Sequence, residues 1–467
     1  MKTERFNIVL RSMAGIPLAF YGYAFQKAWI SIESVPSAAL APHIDVLPGG
    51  VLNALLAFAF GFLALKFDST RFRRNALAIG VALQLCTAAL LAVSLSFGFH
   101  PAALSIASSL ADVGGVVLLS ALWIDLYSLL NPVRVAYLNA VTIIVAQALI
   151  FVVEGNELWR ILPVMAVLSC ITALLYLLAA RDGRKEQPPT PVSKARFLFP
   201  YKAVLFIAVY SFAYGIASQG INVVSARYTA VVPAIIVLAF IFLNTRRFNI
   251  SMLLRLAFPL MVAGFLLVSL IPGEVRSVSS FMLSSGFSAM EMLLVLIVCT
   301  IAYSSGTSAI WLFGILGGTQ FLARALGSSF GAFAHSELGG SEFTAISVVV
   351  IVLVILASLT LMSEKSLFSV WGGFKSREAA GDGSPSEKDE APAESLEMRI
   401  NTISAAYSLT DRETEVFYLA MKGKSNAQIG RDMFISVGTV KAHLYHIYQK
   451  LGIHTRKELF ALVEKRK

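Results

Sequence analysis

Along residues 12–362 the apolar positions fall in long, nearly uninterrupted blocks instead of alternating with polar ones. A helix needs about 20 mainly apolar residues to cross the hydrocarbon core of a bilayer. Blocks of that kind lie at 12–32, 48–66, 76–97, 102–124, 133–153 and 158–180, and again at 200–219, 227–243, 251–271, 281–303, 308–333 and 341–362. The pattern predicts twelve spans in two sets of six, separated by RDGRKEQPPTPVSKARF, which is charged and holds three prolines. Beyond residue 362 the pattern changes. Residues 371–395, WGGFKSREAAGDGSPSEKDEAPAES, are too small and polar to bury a core and read as a flexible tether. Residues 396–407 form a short amphipathic lead-in.

The last block, 409–467, carries helix-start signals. A hydroxyl followed three residues later by Glu or Gln can satisfy orphan amides at a helix N-terminus reciprocally, and Thr410 with Glu413, Ser425 with Gln428, and Thr455 with Glu458 have that spacing. Ser436 offers a simple cap for a further helix, and Gly423 and Gly452 sit at plausible helix ends. Four short helices with tight turns fit a helix-turn-helix domain. On a helical wheel the third of them gathers Val440, Leu444, Ile447 and Leu451 into one stripe, with Gly438, Ala442, Tyr445 and Gln449 opposite and Lys441 flanking. An exposed face with a cation and small residues near its start suits a helix that enters a DNA groove, and by this pattern alone a surface helix of an ordinary bundle fits nearly as well.

Composition places most of the chain in a bilayer. Of 467 residues, 57% are hydrophobic and 14% charged, and the mean hydropathy is +0.73; soluble domains carry about 25% charged residues. Residues 1–362 hold 22 Lys+Arg and 14 Asp+Glu, residues 363–408 hold 5 and 8, and residues 409–467 hold 11 and 6. The expected division is therefore a transmembrane domain at 1–362, with halves 1–180 and 200–362 about a cytoplasmic loop at 181–199. An acidic linker with its lead-in helix follows at 363–408, then a basic domain at 409–467. With the N-terminus inside, the predicted inner segments collect 17 of the basic residues and the outer loops only Arg160, Arg227 and Arg276. The positive-inside rule thus puts both termini in the cytoplasm. The start, with Lys2, Arg5 and Arg11 ahead of an apolar run broken by Gln26 and Lys27, reads as a retained first span. Cys86, Cys170 and Cys299 lie in apolar runs without CxxC spacing and read as packing residues. No metal site, cofactor or enzymatic activity is expected.

Six plus six spans about a basic central loop resemble the major facilitator transporter fold. GFLALKFDSTRFRR, after the second span, is similar to that family's Gly-rich basic loop, and Arg246 and Arg247 fall in the matching loop of the second half. Leu65 stands where the family places an acidic residue, which argues against transport. LTDRETEVFYLAMKGKSNAQIGRDMFISVGTVKAHLYHIYQKLGIHTRKEL closely resembles the LuxR-type DNA-binding domain of bacterial transcription regulators. That resemblance implies phosphate contacts for Ser425, Asn426, Thr439 and Lys450 and base-facing positions for Lys441, Ala442 and Tyr445. It also implies a dimer on DNA formed through the last helix, with Leu459 and Leu462 as its apolar contacts. Gly430 replaces the Ala that the family prefers, which is expected to loosen its helix slightly.

Ionisable residues within spans are costly and usually face a bundle interior or a polar cavity. Lys27, Asp112, Glu291 and Arg324 occur in spans one, four, ten and eleven and could either pair off between helices or form the candidate ligand pocket, with Tyr21, Tyr23, Trp123, Tyr214 and Trp311 as aromatic walls. The expectation is an all-α, polytopic regulator that meets membrane lipid, an unidentified small-molecule effector and promoter DNA. A secondary transporter with an appended DNA-binding domain is the alternative.

Overall fold

The computed structural model describes residues 16–40, 49–67, 69–97, 102–183, 199–218, 228–244, 259–264, 276–337, 348–350, 352–356, 400, 403–404, 407, 409–433, 435, 437–453 and 455–465. Every regular element among them is helical. The chain divides into two compact units, Met1–Arg377 and Glu378–Lys467.

In the first unit a single 3-10 turn, Leu18–Gly22, leads into α1 (Tyr23–Leu40). There follow α2 (Gly49–Phe67), α3 (Thr70–Phe97), α4 (Ala102–Tyr127), α5 (Pro132–Val153) and α6 (Leu158–Gly183). The second half supplies α7 (Tyr201–Ser218), α8 (Val231–Asn244), α9 (Arg276–Ser305) and α10 (Ala309–Glu337). Eight of these, α2 to α7 with α9 and α10, are long and apolar enough to cross a membrane. They correspond to the predicted spans two to seven, ten and eleven. The eighth predicted span is the short apolar helix α8. The ninth and twelfth lie mostly outside the described residues, which include helical turns at 259–264, 348–350 and 352–356.

The first span is displaced from its expected position, since α1 starts at Tyr23 and continues to Leu40. Its polar residues do not break it, because Gln26 is fully buried and its Oε1 accepts from Gln84 Nε2 of α3 at 3.1 Å. Asn131 caps α5 by accepting from Val133 N at 3.0 Å, with Pro132 at the first helical position, where a missing N–H removes nothing.

Helices of one half pack on helices of the other most extensively along two seams, α2 with α10 and α5 with α8. These are spans two with eleven and five with eight, which exchange when six is added or subtracted. An internal two-fold repeat requires that symmetry. At the first seam Gly61 and Gly314 face each other so closely that a Cβ on Gly314 would lie 2.6 Å from Gly61 Cα. Small residues let membrane helices approach in this way. Phe62 and Phe151, 61% and 70% exposed, belong to the outer surface, where large apolar side chains face hydrocarbon instead of water. Cys299 is buried and its Sγ donates to Ile124 O at 3.6 Å, whereas Cys86 and Cys170 are exposed, so only the first is a packing residue as expected.

The second unit contains α11 (Asp411–Met421), α12 (Asn426–Asp432), α13 (Val437–Leu451) and α14 (Arg456–Lys465) around one core. The core includes Ile400 and Ile403 of the lead-in, both 1% exposed. The chain is therefore all-α, a polytopic bundle followed by a four-helix helix-turn-helix unit.

Candidate functional site

The expected reciprocal helix starts are complete at α11 and α12, and at α14 the pair meets through the Thr455 hydroxyl. Thr410 and Glu413 form a complete capping box on α11. At α12, Ser425 N donates to Gln428 Oε1 at 2.6 Å and Gln428 N to Ser425 Oγ at 3.3 Å. At α14, Glu458 N donates to Thr455 Oγ1 at 3.3 Å, and that hydroxyl donates to Glu458 Oε1 at 2.8 Å. Ser436 lies outside the described residues. The helix ends close as expected: Gly423 and Gly452 have φ of 76° and 67°, the left-handed region that favours glycine. Lys424 N and Ile453 N then reach back to Leu419 O and Tyr448 O.

These starts and stops set the direction of α13. Its stripe Val440, Leu444, Ile447 and Leu451 is buried, which turns Thr439, Lys441, Ala442, Tyr445 and Gln449 outward. Tyr445 is 60% exposed, and its hydroxyl accepts from Gln449 Nε2 at 2.8 Å. Ser425 is exposed and Asn426 half-buried at the start of α12. Lys450 is 36% exposed, but its ammonium donates to Glu413 Oε2 at 2.7 Å. The same carboxylate accepts from Thr410 N at 2.8 Å and Thr410 Oγ1 at 3.0 Å. Burial alone would raise the Glu413 pKa; the hydrogen bonds from Lys450 and Thr410 outweigh it and hold the carboxyl below its ordinary value. Arg456 Nη2 donates to Ala420 O at 2.7 Å and Lys424 O at 2.5 Å, tying α14 to the end of α11.

Two expectations need correction here. Leu459, assigned to a dimer surface, is 0% exposed and belongs to the unit's own core; Leu462 is half-buried against that core. Gly430 is not simply a loosened position, because a Cβ there would lie 2.8 Å from Ile435 O of the turn that folds back over α12.

In the membrane unit a cavity of about 790 Å³ lies between helices of the two halves. Lys27 of α1, Glu291 of α9 and Arg324 of α10 line it together. The Lys27 ammonium sits 4.8 Å from the centroid of the Tyr23 ring. The Arg324 guanidinium lies 5.6 Å from the Tyr214 ring and 5.5 Å from that of Phe287, which stack on each other at 4.0 Å. Glu291 Oε1 accepts from Gln320 Nε2 at 3.4 Å.

Asp112 is not on this wall. It lies on α4 in electrostatic reach of Glu33, with Oδ1 buried and unpaired. Of the five expected aromatic residues, Tyr23 lines the cavity; Trp123 is fully buried and stacks behind it at 6.1 Å. Sequence reasoning missed Glu33, because the first span was ended at residue 32. It also missed the wall amides Asn53, Gln147 and Gln320, although polar amides inside apolar blocks were a visible signal. Arg73, expected in the basic loop after the second span, lies on the first turn of α3, and Asp125 Oδ2 of α4 accepts from its Nε at 2.7 Å.

This geometry is that of a LuxR-type helix-turn-helix unit following a major-facilitator-like membrane bundle. Residues 407–463 match the family described as "Bacterial regulatory proteins, luxR family". Among curated relatives, the oxygen regulatory protein NreC of Staphylococcus aureus (strain JH9) is 40% identical over 67 residues, 14% of this chain. The same protein from strain JH1 matches equally. The match spans 31% of the length of these relatives. Over the membrane unit, the human organic anion transporter MFSD10 (TETRAN) superposes with a TM-score of 0.53 at 14% identity, covering 73% of this chain and 97% of that one. A bacterial homologue of the iron transporter ferroportin gives 0.53 at 15% identity, covering 74% and 97%. Likeness at this identity carries the fold alone.

Proposed function

We propose that this chain is a membrane-embedded one-component transcription regulator, in which a transmembrane domain at 1–362 senses a small molecule and a domain at 409–467 binds promoter DNA across the linker at 363–408. The observation that carries the reading is the outward face of α13, with Lys441, Ala442 and Tyr445 exposed over a buried apolar stripe. Lys441, Ala442 and Tyr445 would meet base edges, and Ser425, Asn426 and Thr439 would meet phosphates, with Lys450 joining them if DNA draws it from Glu413. The protein would act without catalysis, as a homodimer on DNA, with Leu462 the remaining apolar contact of the assigned pair. In this reading the count of basic residues supports an orientation with both termini on the cytoplasmic side of the bacterial inner membrane, the side on which the Arg73–Asp125 pair would then lie. Lys27, Glu291 and Arg324 are the sensing residues in this reading, and Asp112 stands apart from them. The cavity between the halves also favours a second reading, a secondary transporter with an attached regulatory domain.

The test is promoter occupancy by the full chain together with transcript profiling. Occupancy of defined promoters, lost with Lys441→Ala and accompanied by changed transcripts, supports the regulator. Absence of occupancy on any promoter overturns it, and effector uptake by membrane vesicles would favour the transporter.

A further inference from the structure

The walls of the membrane cavity carry two cations, Lys27 and Arg324, against one carboxylate, Glu291, which lies in electrostatic reach of Lys27. Lys27 and Arg324 contact aromatic faces, and neither has a carboxylate within ion-pair distance among the described residues. A cation beside a ring is stabilised far less than one paired with a carboxylate. Glu291 is exposed within the cavity, with one long hydrogen bond from Gln320. On the same walls Asn53 Oδ1 and Gln147 Oε1 are buried without a partner. Such atoms are costly to leave unsatisfied and mark where a bound group supplies donors. Phe313 and Phe321 add apolar surface, and the volume of about 790 Å³ falls in the range of small-molecule sites.

Resting on the sensor reading above, we infer that the cavity takes an organic anion that also carries a hydrogen-bond donor, of the hydroxy- or amino-carboxylate class. The anionic group answers Lys27 and Arg324, one from each half of the bundle, and the donor answers Glu291 or the two unpaired amide oxygens. A neutral ligand would leave the cavity with one positive charge in excess. A simple cation would find two like charges against one carboxylate. A ligand anchored to both halves binds best at one separation of those halves, which is the differential affinity that a conformational signal requires.

The experiment measures thermal unfolding of the full chain in detergent with matched probes: 4-hydroxybenzoate, gluconate and tyrosine as anion-plus-donor compounds, benzoate without the donor, and methyl 4-hydroxybenzoate and tyramine as neutral and cationic counterparts. At least one of the first three, at millimolar concentration, should raise the midpoint by about 2 °C or more through mass action. Its neutral or cationic counterpart should not, and Lys27→Gln and Arg324→Gln should each abolish the shift. Stabilisation by tyramine or the ester alone, or no shift with any anion, overturns the inference. A shift that survives both substitutions also overturns it, placing the probe on the surface or in a lipid site. The wild-type series stands even if a variant does not fold. Transcript response is read separately: binding without a response removes the sensor reading and leaves the ligand class intact, whereas a response to compounds outside the class removes the class.

Discussion

Replacing Glu413 tests how the DNA-reading unit is held together, because three donors meet on one nearly buried carboxylate, whose side chain is 6% exposed. Glu413→Ala removes the side-chain half of the α11 capping box, a loss of about 1 kcal/mol. It also removes the bond to Lys450, whose side chain is 36% exposed and can turn to water, so that contribution is about 1 kcal/mol. The total of about 2 kcal/mol should lower the melting temperature of a unit this small by roughly 10–15 °C. Glu413→Gln keeps an acceptor for Thr410 N but no charge for Lys450, and should lower it by roughly 5 °C. Circular dichroism melts of segment 396–467 read both. Equal losses for the two variants, or a loss under about 3 °C for Ala, would refute the reasoning. The pH dependence supplies a second check. The folded carboxyl titrates below its unfolded value, so its stabilisation is present above the ordinary Glu value of about 4.3. That stabilisation disappears as pH falls through the lower, folded value. The gap between wild type and Glu413→Gln should accordingly close on acidification; a gap that widens contradicts the assignment.

Lys441→Ala and Tyr445→Ala should each weaken binding to promoter DNA by about 1–3 kcal/mol in gel-shift titrations without lowering the melting temperature, since both side chains are exposed. Unchanged affinity for both would dismiss the reading face. Leu459→Ala should destabilise the unit by about 2–5 kcal/mol in urea titration, because it opens a core cavity; a variant that stays fully stable and only fails to dimerise would restore the surface role. A cytoplasm-dependent reporter fused after Met362 should be active and one fused after Gly155 silent, and the reverse pattern would shift the span count by one.

The parts legible in the sequence are those governed by local physics. The helix starts at Thr410, Ser425 and Thr455 depend on residues three apart, and the stripe from Val440 to Leu451 on one helical period, so both were readable without a fold. Leu459 was not, because periodicity identifies an apolar face but not whether the neighbour is the same domain or a second copy. The convergence of Lys27, Glu291 and Arg324 was anticipated from their cost in a bilayer. The exclusion of Asp112 was not, since only the rotation of α4 about its axis decides which wall a side chain reaches. Glu33 was hidden by a span boundary drawn a residue too early, and the Arg73–Asp125 pair by a separation of 52 residues.

The seating of Ile400 and Ile403 in the core of the DNA-reading unit means that the mechanical end of that unit lies upstream of its first long helix. A protease that cuts the tether before residue 400 would set free an intact DNA-binding fragment. A cut between 403 and 409 would strip two isoleucines from the core, each contributing about 1.5–3 kcal/mol by burial, and leave a fragment prone to unfold and be degraded. A displacement of fewer than ten residues in the cleavage point would thus decide between release of a soluble regulator and its destruction.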